Sequence, residues 1–140
     1  MYIFDTDHLS VLDRGGIDAQ RLLTRLAKVN PNQISATIIS YEEQTRGWLS
    51  HISKARNLAA QVEIYKQLKR QINNYCIIPI IDFDIDAANE FQRIRKLYPR
   101  LGTMDLKIAA IAIVNHAIVL TRNTSDFGQI ANLKIEDWTQ

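Results

Sequence analysis

The chain has 140 residues, of which 46% are hydrophobic and 23% charged, with 5 glycines and 3 prolines. This length buries roughly 68% of the unfolded surface around one core, and the composition excludes a disordered, collagen-like or low-complexity protein. Seventeen Lys and Arg against 15 Asp and Glu give a formal charge of +2, which by itself indicates neither a nucleic-acid nor a membrane partner. We therefore expect a single globular domain over residues 1–140.

Cysteine usage and apolar runs predict a cytoplasmic protein. The only cysteine, Cys76, excludes an intrachain disulfide, a cysteine-based zinc site and a Cys-X-X-Cys redox pair. The N-terminus lacks a basic stretch followed by a long apolar one, and the apolar run at 108–114 is far shorter than the roughly 20 residues that span a bilayer. We expect a chain that is neither exported nor membrane-spanning.

Short apolar runs alternate with longer helical patterns along the chain, an order typical of α/β proteins. The predicted strands and helices, in chain order, are strand 2–4, helix 17–29, strand 33–36, helices 38–49 and 50–73, strand 76–78, helix 82–98, helix 103–116, and strands 118–121 and 133–135. Strands separated by helices favour parallel pairing with helices on both faces. The predicted fold class is α/β, a three-layer α/β/α sandwich around a mainly parallel sheet of four to five short strands.

Some single residues have simple structural interpretations. Thr103 is a plausible cap of the helix that it opens, and Cys76 is expected to open a strand and pack as a small apolar side chain. The three histidines share no ligand spacing and are interpreted as capping, surface or helix-end residues: His8, His51 and His116. Trp48 and Tyr65 are expected to pack in the core rather than to stack on bases.

Acidic side chains follow several of the predicted strands. Asp5 and Asp7 come after the first strand, Glu43 lies on the helix after the second, Asp105 in the first turn of a helix rich in Ile and Ala, and Asp126 after the strand at 118–121. Ligands collect at the carboxyl ends of parallel strands. Each acid alone has a local explanation as a turn or cap residue, and Asp7 would serve as the cap of a helix beginning near position 8. Several acids at one edge, with no matching bases, indicate a shared site.

Converging carboxylates require a hard cation, because without one they would repel each other or take up protons. Mg²⁺ prefers oxygen ligands and keeps several waters, so one or two direct carboxylates suffice. Such an ion lowers the pKa of a bound water and offsets charge on a phosphodiester transition state. The acids therefore favour metal-dependent phosphodiester hydrolysis.

Four ordered motifs resemble the PIN-domain family, and most closely the VapC-type toxins of bacterial toxin–antitoxin pairs: DTDHL at 5–9, EQTRG at 43–47, GTMDLKIAA at 102–110 and TRNTSDF at 121–127. The resemblance covers essentially the whole chain. It implies a PIN-like fold and a Mg²⁺- or Mn²⁺-dependent endoribonuclease, usually a homodimer that a cognate antitoxin protein holds inactive.

The resemblance also implies residue roles. Asp5 and Asp105 match the principal metal-binding acids, Glu43 the third acid and Asp126 a fourth. In part of the family the fourth acid stands at the position of Asn123. Four further residues would hold the carboxylates or a water: Thr6, Asp7, Thr121 and Asn123. The spacing to Gly47 favours Glu43 over the adjacent Glu42, although the sequence leaves an exchange of their roles open.

Residues 46–75 are basic, with six cations against the single acid Glu63. The cations are Arg46, Lys54, Arg56, Lys66, Lys69 and Arg70. They suit contacts with an RNA backbone or an acidic antitoxin segment, and equally a solvated helix face. The predicted helical hairpin at about 38–73 is similar to the family's region that contacts partner chains and frames the substrate groove.

Two other functions fit some of the same residues. An apolar strand that ends in Asp-X-Asp also opens the pattern of haloacid-dehalogenase-like phosphatases, with Asp5 as nucleophile and Asp7 as acid, but the Lys and further acidic pair of that chemistry have no clear place here. A non-catalytic interaction module would use the same acids to hold a structural ion.

Overall fold

The computed structural model describes residues 1–140 as five strands and seven α-helices. The strands are β1 (Tyr2–Phe4), β2 (Ile34–Thr37), β3 (Ile80–Ile81), β4 (Ile118–Leu120) and β5 (Lys134–Glu136). The helices are α1 (Thr6–Arg14), α2 (Ile17–Leu26), α3 (Ile38–Lys54), α4 (Leu58–Cys76), α5 (Ile85–Leu97), α6 (Thr103–Val114) and α7 (Thr124–Phe127). A 3-10 turn, Pro31–Gln33, precedes β2.

All five strands pair in parallel, in the order β3-β2-β1-β4-β5. Successive side chains of a strand point to opposite faces, and the two central strands show this directly. Ile3 and Val119 pack into a cluster with α5 and α6, whereas Phe4 and Leu120 pack with α1 and α2. Helices therefore cover both faces of the sheet, and the predicted α/β class with its parallel sheet is confirmed.

The chain changes direction across the sheet between β1 and β4. It runs from β1 through β2 to β3 on one side, then returns to place β4 and β5 on the other. In open parallel sheets the crevice at this reversal, beyond the carboxyl ends of the strands, is where ligands bind. Asp5 lies at this edge, and the helices that carry Glu43, Asp105 and Asp126 begin there.

Helix α6 is buried on nearly all sides. Leu106, Ile108 and Ile111 are fully buried, as are the three alanines at 109, 110 and 112. A helix that is apolar all round belongs in a core, where adjacent elements enclose it. Because α6 precedes the parallel strand β4, its first turn lies at the carboxyl edge of the sheet. None of the helices has the length and apolarity needed to cross a lipid bilayer.

The break between α3 and α4 lies five residues later than predicted. Helix α3 runs to Lys54, Ala55 is extended, and Asn57 caps α4 by accepting a hydrogen bond from the Ala60 amide at 2.8 Å. The apolar period continues through both helices, so periodicity cannot locate the break. The cap geometry decides it.

The predicted strand at 76–78 is wrong. Helix α4 continues through Cys76, which is exposed, and Ile77 is 85% exposed. The buried Tyr75 holds the last turn of α4 in place, because its hydroxyl donates to Gln44 Oε1 at 2.8 Å. Strand β3 instead follows Pro79, whose carbonyl accepts a hydrogen bond from the Ala36 amide and so begins the pairing with β2.

Three interpretations of single residues also need correction. Gly102, not Thr103, is the N-cap of α6, so Thr103 is already helical. Tyr65 is 54% exposed and does not belong to the core. His8 is fully buried rather than at the surface.

Candidate active site

Asp5 lies at the end of β1, and two bonds fix its position. Its amide donates to the Leu120 carbonyl at 3.0 Å, which ties it to β4. Its side-chain Oδ1 accepts the His8 amide at 2.7 Å, so Asp5 and not Asp7 is the N-cap of α1. The residue is 4% exposed. A helix N-terminus stabilises a carboxylate, and here it presents one at the sheet's switch point.

Glu43 reaches the same region from α3. The Thr6 hydroxyl donates to Glu43 Oε1 at 2.6 Å and lies 3.1 Å from the hydroxyl of the buried Ser40. Burial raises the pKa of Glu43, and the negative charge of Asp5 raises it further. The adjacent Glu42 instead pairs with Arg46 one turn along the helix. Of the two consecutive glutamates, Glu43 faces the acids.

Asp105 shows that four acids share one electrostatic environment. It lies half-buried in the first turn of α6. Burial, and to a smaller extent repulsion by Glu43, Asp5 and Asp126, raises its pKa to about 6. Repulsion of this kind requires charges close enough to interact through protein of low dielectric. The four acids come from four different segments of the chain.

Asp126 is held by the residues that precede it. Asn123 is the N-cap of α7, and its amide nitrogen donates to Asp126 Oδ2 at 3.1 Å. The hydroxyl oxygen of the buried Thr121 accepts the Asn123 amide at 2.9 Å. This short series of bonds runs from the end of β4 to the carboxylate, with Asn123 as the orienting residue and Asp126 as the acid.

Asp7 has a different environment from the other acids. Arg122 grips both of its oxygens, with Nε–Oδ2 at 2.6 Å and Nη2–Oδ1 at 2.7 Å, and also reaches Asp18 on α2 at 3.2 Å. The bond to Arg122 lowers the pKa of Asp7. Because a guanidinium occupies both oxygens, Asp7 joins the segment after β4 to α1 and α2 instead of adding a free carboxylate.

The donor set at this edge fits a divalent cation of the hard class. Asp5, Glu43, Asp105 and Asp126 offer carboxylate oxygens, and no Lys or Arg pairs with any of them. Burial is the main cause of the raised pKa values of Glu43 and Asp105, and repulsion between the acids acts in the same direction.

A tight group of potential metal-ligand atoms at this edge consists of Asp5 and two residues outside the four acids. Asp5, Asp7 and His8 place one such atom each within 4.8 Å of the others. Asp7 is already bound to Arg122, however, and both ring nitrogens of His8 are turned into the protein. Only Asp5 of these three remains available.

Comparison with known proteins identifies the family. The PIN-domain model matches residues 2–133 of this chain. The chain belongs to the PIN-domain family. PIN domains are nucleases, so the family indicates an enzyme that hydrolyses phosphodiester bonds. No curated protein sequence matches the chain significantly.

Solved structures similar to this PIN domain confirm the resemblance to toxins of toxin–antitoxin pairs. VapBC2 from Rickettsia felis, bound to a DNA fragment of its promoter, has 25% identity and a TM-score of 0.73, with 98% of each chain covered. A toxin–antitoxin complex from Klebsiella pneumoniae has 25% identity and a TM-score of 0.72, covering 99% of this chain and 98% of that one. FitAcB from Neisseria gonorrhoeae, at 21% identity, shares the fold with a TM-score of 0.76 and the same coverage.

The six cations predicted to contact RNA or antitoxin divide into two groups in this PIN domain. Arg46, Lys66 and Arg70 pair with carboxylates of their own surroundings. Lys54, Arg56 and Lys69 are exposed and have no ion pair. Neutralised cations attract a phosphate backbone less, so the unpaired three are the stronger candidates.

Sequence reasoning missed three residues around the acids. Ser40 supports Thr6, Arg122 binds Asp7, and His8 contacts Asp5 from inside the protein. Ser40 and Arg122 act through contacts between distant segments, which no local pattern reveals. His8 had one available signal, since it stands three residues after a capping acid and so returns to the same side of the helix.

Proposed function

We propose that this protein is a Mg²⁺- or Mn²⁺-dependent endoribonuclease and the toxin of a toxin–antitoxin pair, with residues 1–140 forming one nuclease domain. The observation that carries the proposal is the convergence of four carboxylates without a paired cation at the switch point of a PIN-domain sheet. RNA is the proposed substrate because the exposed, unpaired cations of α3, α4 and the turn between them suit a phosphate backbone.

In this proposal Asp5 and Asp105 hold the ion, with Glu43 and Asp126 completing the acidic ring. When bound, the ion supplies a water of lowered pKa and offsets charge that develops on the phosphate. Thr6 fixes Glu43 through Oε1, which leaves Oε2 free to accept a proton from the attacking water. Asn123 and Thr121 fix Asp126. Asp7 acts indirectly, because its bonds to Arg122 hold the segment after β4 against α1.

Adjacent glutamates provide a matched test of the assignment. Glu43→Gln should lower the rate of RNA cleavage by about 100-fold or more, the usual cost of losing a general base, whereas Glu42→Gln should leave it within about twofold. Asp5→Asn and Asp105→Asn should behave as Glu43→Gln does, and EDTA should abolish the parent's activity. The measurement is initial cleavage of a single-stranded RNA with Mg²⁺ or Mn²⁺. Equal activity of the parent, Asp5→Asn and Asp105→Asn under matched metal would refute the proposal.

The bond to Arg122 weighs against the phosphatase alternative. A phosphatase acid at Asp7 would have to carry a proton, and its lowered pKa keeps it ionised. Trapping of a phosphoaspartate at Asp5 would nevertheless establish that chemistry. Tight Mn²⁺ binding without cleavage of any RNA tested would establish the non-catalytic module instead.

The proposed protein partner is a cognate antitoxin, because several similar structures are toxin–antitoxin complexes. An apolar groove of about 510 Å³ offers it a surface, lined among others by Leu9, Leu12, Leu23 and Leu26. Expression of the chain should arrest growth, Asp5→Ala should relieve the arrest, and a small protein encoded beside it should relieve it too and copurify. Normal growth on expression of the parent would contradict the toxin role.

We further propose a homodimer in the cytoplasm. Leu58, Val62, Tyr65 and Ile72 are each more than 50% exposed and recur on one face of α4, the spacing of a helix that packs against another copy. The free, exposed Cys76 suits a reducing compartment. Light scattering should give twice the mass of the 16.1 kDa chain, and a monomer at micromolar concentration would contradict this.

A further inference from the structure

His8 is a buried imidazole between the acid cluster and the C-terminal segment. It is fully buried in the first turn of α1. Its Nε2 accepts the backbone amide of Trp138 at 3.3 Å. Trp138 and Thr139 are themselves 3% and 4% exposed, so the segment that supplies this amide is packed against the protein. His8 is thus fixed on one side by residues near position 138.

The bond at Nε2 determines the tautomer of His8. A nitrogen that accepts an amide hydrogen carries no proton of its own, so the ring proton lies on Nδ1. Asp137 Oδ1 is 3.8 Å from Nε2, beyond hydrogen-bond length, and it already accepts from the Thr139 amide and hydroxyl. No competing acceptor therefore draws the proton to Nε2.

The Nδ1 edge of the ring is directed toward Asp5. His8 Nδ1 is a buried atom without a partner inside 3.5 Å, and Asp5 Oδ1 is 3.6 Å away. The same Oδ1 accepts the His8 amide at 2.7 Å. The backbone amide and the ring Nδ1 of His8 thus both face Oδ1 of Asp5. Oδ2 of Asp5 has no hydrogen bond from the protein.

We propose that His8 is a positioning residue, whose Nδ1–H faces Asp5 Oδ1 across 3.6 Å inside the protein and attracts that oxygen electrostatically, so that Oδ2 is presented to the divalent ion. The inference rests on the proposed function only in assigning Asp5 to the ion. His8 itself does not bind the metal, because Nε2 is occupied by Trp138 and Nδ1 carries the proton. Residues that orient a metal-binding carboxylate typically contribute 10–100-fold to metal affinity.

The first test uses the unaltered chain. Two-bond ¹H–¹⁵N correlation spectra distinguish a protonated from an unprotonated ring nitrogen. We expect His8 to show a protonated Nδ1 and an unprotonated Nε2. A proton on Nε2 would overturn the inference, whatever the substitutions below show.

The second test separates the two sides of the ring. Asn places an amide nitrogen near the position of Nδ1, whereas Gln reaches the position of Nε2. His8→Gln should weaken Mn²⁺ binding by about 10-fold or more, and His8→Asn should keep it within about threefold of the parent. Mn²⁺ alone is the probe, with free ion measured by electron paramagnetic resonance, and thermal unfolding verifies that each variant is folded. Equal weakening in both variants would indicate a merely structural role, and no weakening in His8→Gln would also overturn the inference.

Failure of the proposed function would be visible separately. A parent that binds Mn²⁺ but cleaves no RNA would refute the nuclease proposal and leave the role of His8 standing. If Asp5→Asn bound Mn²⁺ as tightly as the parent, the assignment of Asp5 to the ion would be wrong, and the inference about His8 would fall with it.

Discussion

At Asp105, burial and charge act in the same direction. Both raise its pKa, to about 6, because the ionised form loses hydration and faces three other acids. Asp7 shows the opposite case on the same edge, since Arg122 lowers its pKa. Their neighbours thus give two aspartates of one crevice different roles: in the proposed site Asp105 binds the divalent ion, whereas Asp7 binds the guanidinium of Arg122.

The raised pKa of Asp105 predicts an unusual pH dependence of the metal-free protein. Between about pH 4 and pH 6 the folded state retains a proton that the unfolded chain, with an ordinary pKa of 3.8, has released. The free energy of unfolding therefore falls as pH rises through this window. The raised pKa of Glu43 adds a change of the same sign.

Asp105→Asn should remove the loss of stability that ionisation of Asp105 causes above about pH 4. Because solvent screens part of the repulsion at a half-buried group, we expect about 1 kcal/mol, a rise in Tm of about 2–4 °C at pH 7.5 in EDTA. The gain should vanish near pH 4. Thermal unfolding across this pH range measures it, with Asp82→Asn, an exposed acid outside the cluster, as control. An Asp105→Asn protein no more stable than the parent at pH 7.5 would contradict the argument.

Helix α7 is the element that depends most on its surroundings. It has only four residues, too few to form a helix alone in water. Asn123 caps it, Phe127 anchors it in the core at 1% exposure, and Gly128 closes it tightly. A Cβ at Gly128 would lie 2.3 Å from the Thr124 carbonyl oxygen. The position of Asp126 thus depends on a glycine two residues later.

A glycine that ends a helix and a glycine inside one should therefore respond in opposite ways to alanine. Gly128→Ala should cost about 1–3 kcal/mol through the clash with Thr124 and should also weaken Mn²⁺ binding by displacing Asp126. Gly47→Ala, inside α3 with no atom within 4 Å of the added Cβ, should stabilise by about 1 kcal/mol and leave Mn²⁺ binding unchanged. Denaturant unfolding and Mn²⁺ titration measure both. Unaltered stability of Gly128→Ala would show that the turn relaxes freely.

Over the whole molecule the near-neutral charge of +2 conceals an uneven distribution. With Asp5, Glu43, Asp105 and Asp126 assigned to one crevice, the rest of the chain has 17 basic against 11 acidic side chains. Much of that excess is on α3, α4 and the turn between them, where Lys54, Arg56 and Lys69 have no ion pair. A basic body around an acidic pocket suits a phosphodiester substrate.

This distribution predicts the salt dependence of RNA binding. Replacing Lys54, Arg56 and Lys69 by Gln should reduce the slope of log affinity against log salt by about 2, since each phosphate contact on a single strand contributes about 0.7. Fluorescence anisotropy with single-stranded RNA in EDTA measures the slope without cleavage. Replacing Lys28, Lys96 and Lys134, three exposed lysines elsewhere, provides the charge-matched control. An equal loss in both triple variants would assign the effect to net charge alone.

Several features of this protein follow from its sequence alone. The alternation of apolar runs and helical patterns determined the α/β class and the parallel sheet, because these depend on burial of local periodic faces. The motifs around Asp5, Glu43, Asp105 and Asp126 also indicated the PIN-domain family, which the match over residues 2–133 confirms. Local patterns fail, however, where the same residues fit a strand and the end of a helix equally well. The apolar residues at 76–78 resemble a strand, but the contact of Tyr75 with Gln44 extends α4 through Cys76.

Only the tertiary structure decided how the acids are supported. Glu43 faces Asp5 while Glu42 turns away, because Thr6 lies opposite one and Arg46 one turn from the other. Arg122 binds Asp7 across 115 positions, and His8 meets Trp138 across 130. Local sequence specifies which face of an element is buried. The partner of a polar side chain is set by the packing that brings distant segments together, and that packing determines which carboxylate remains free.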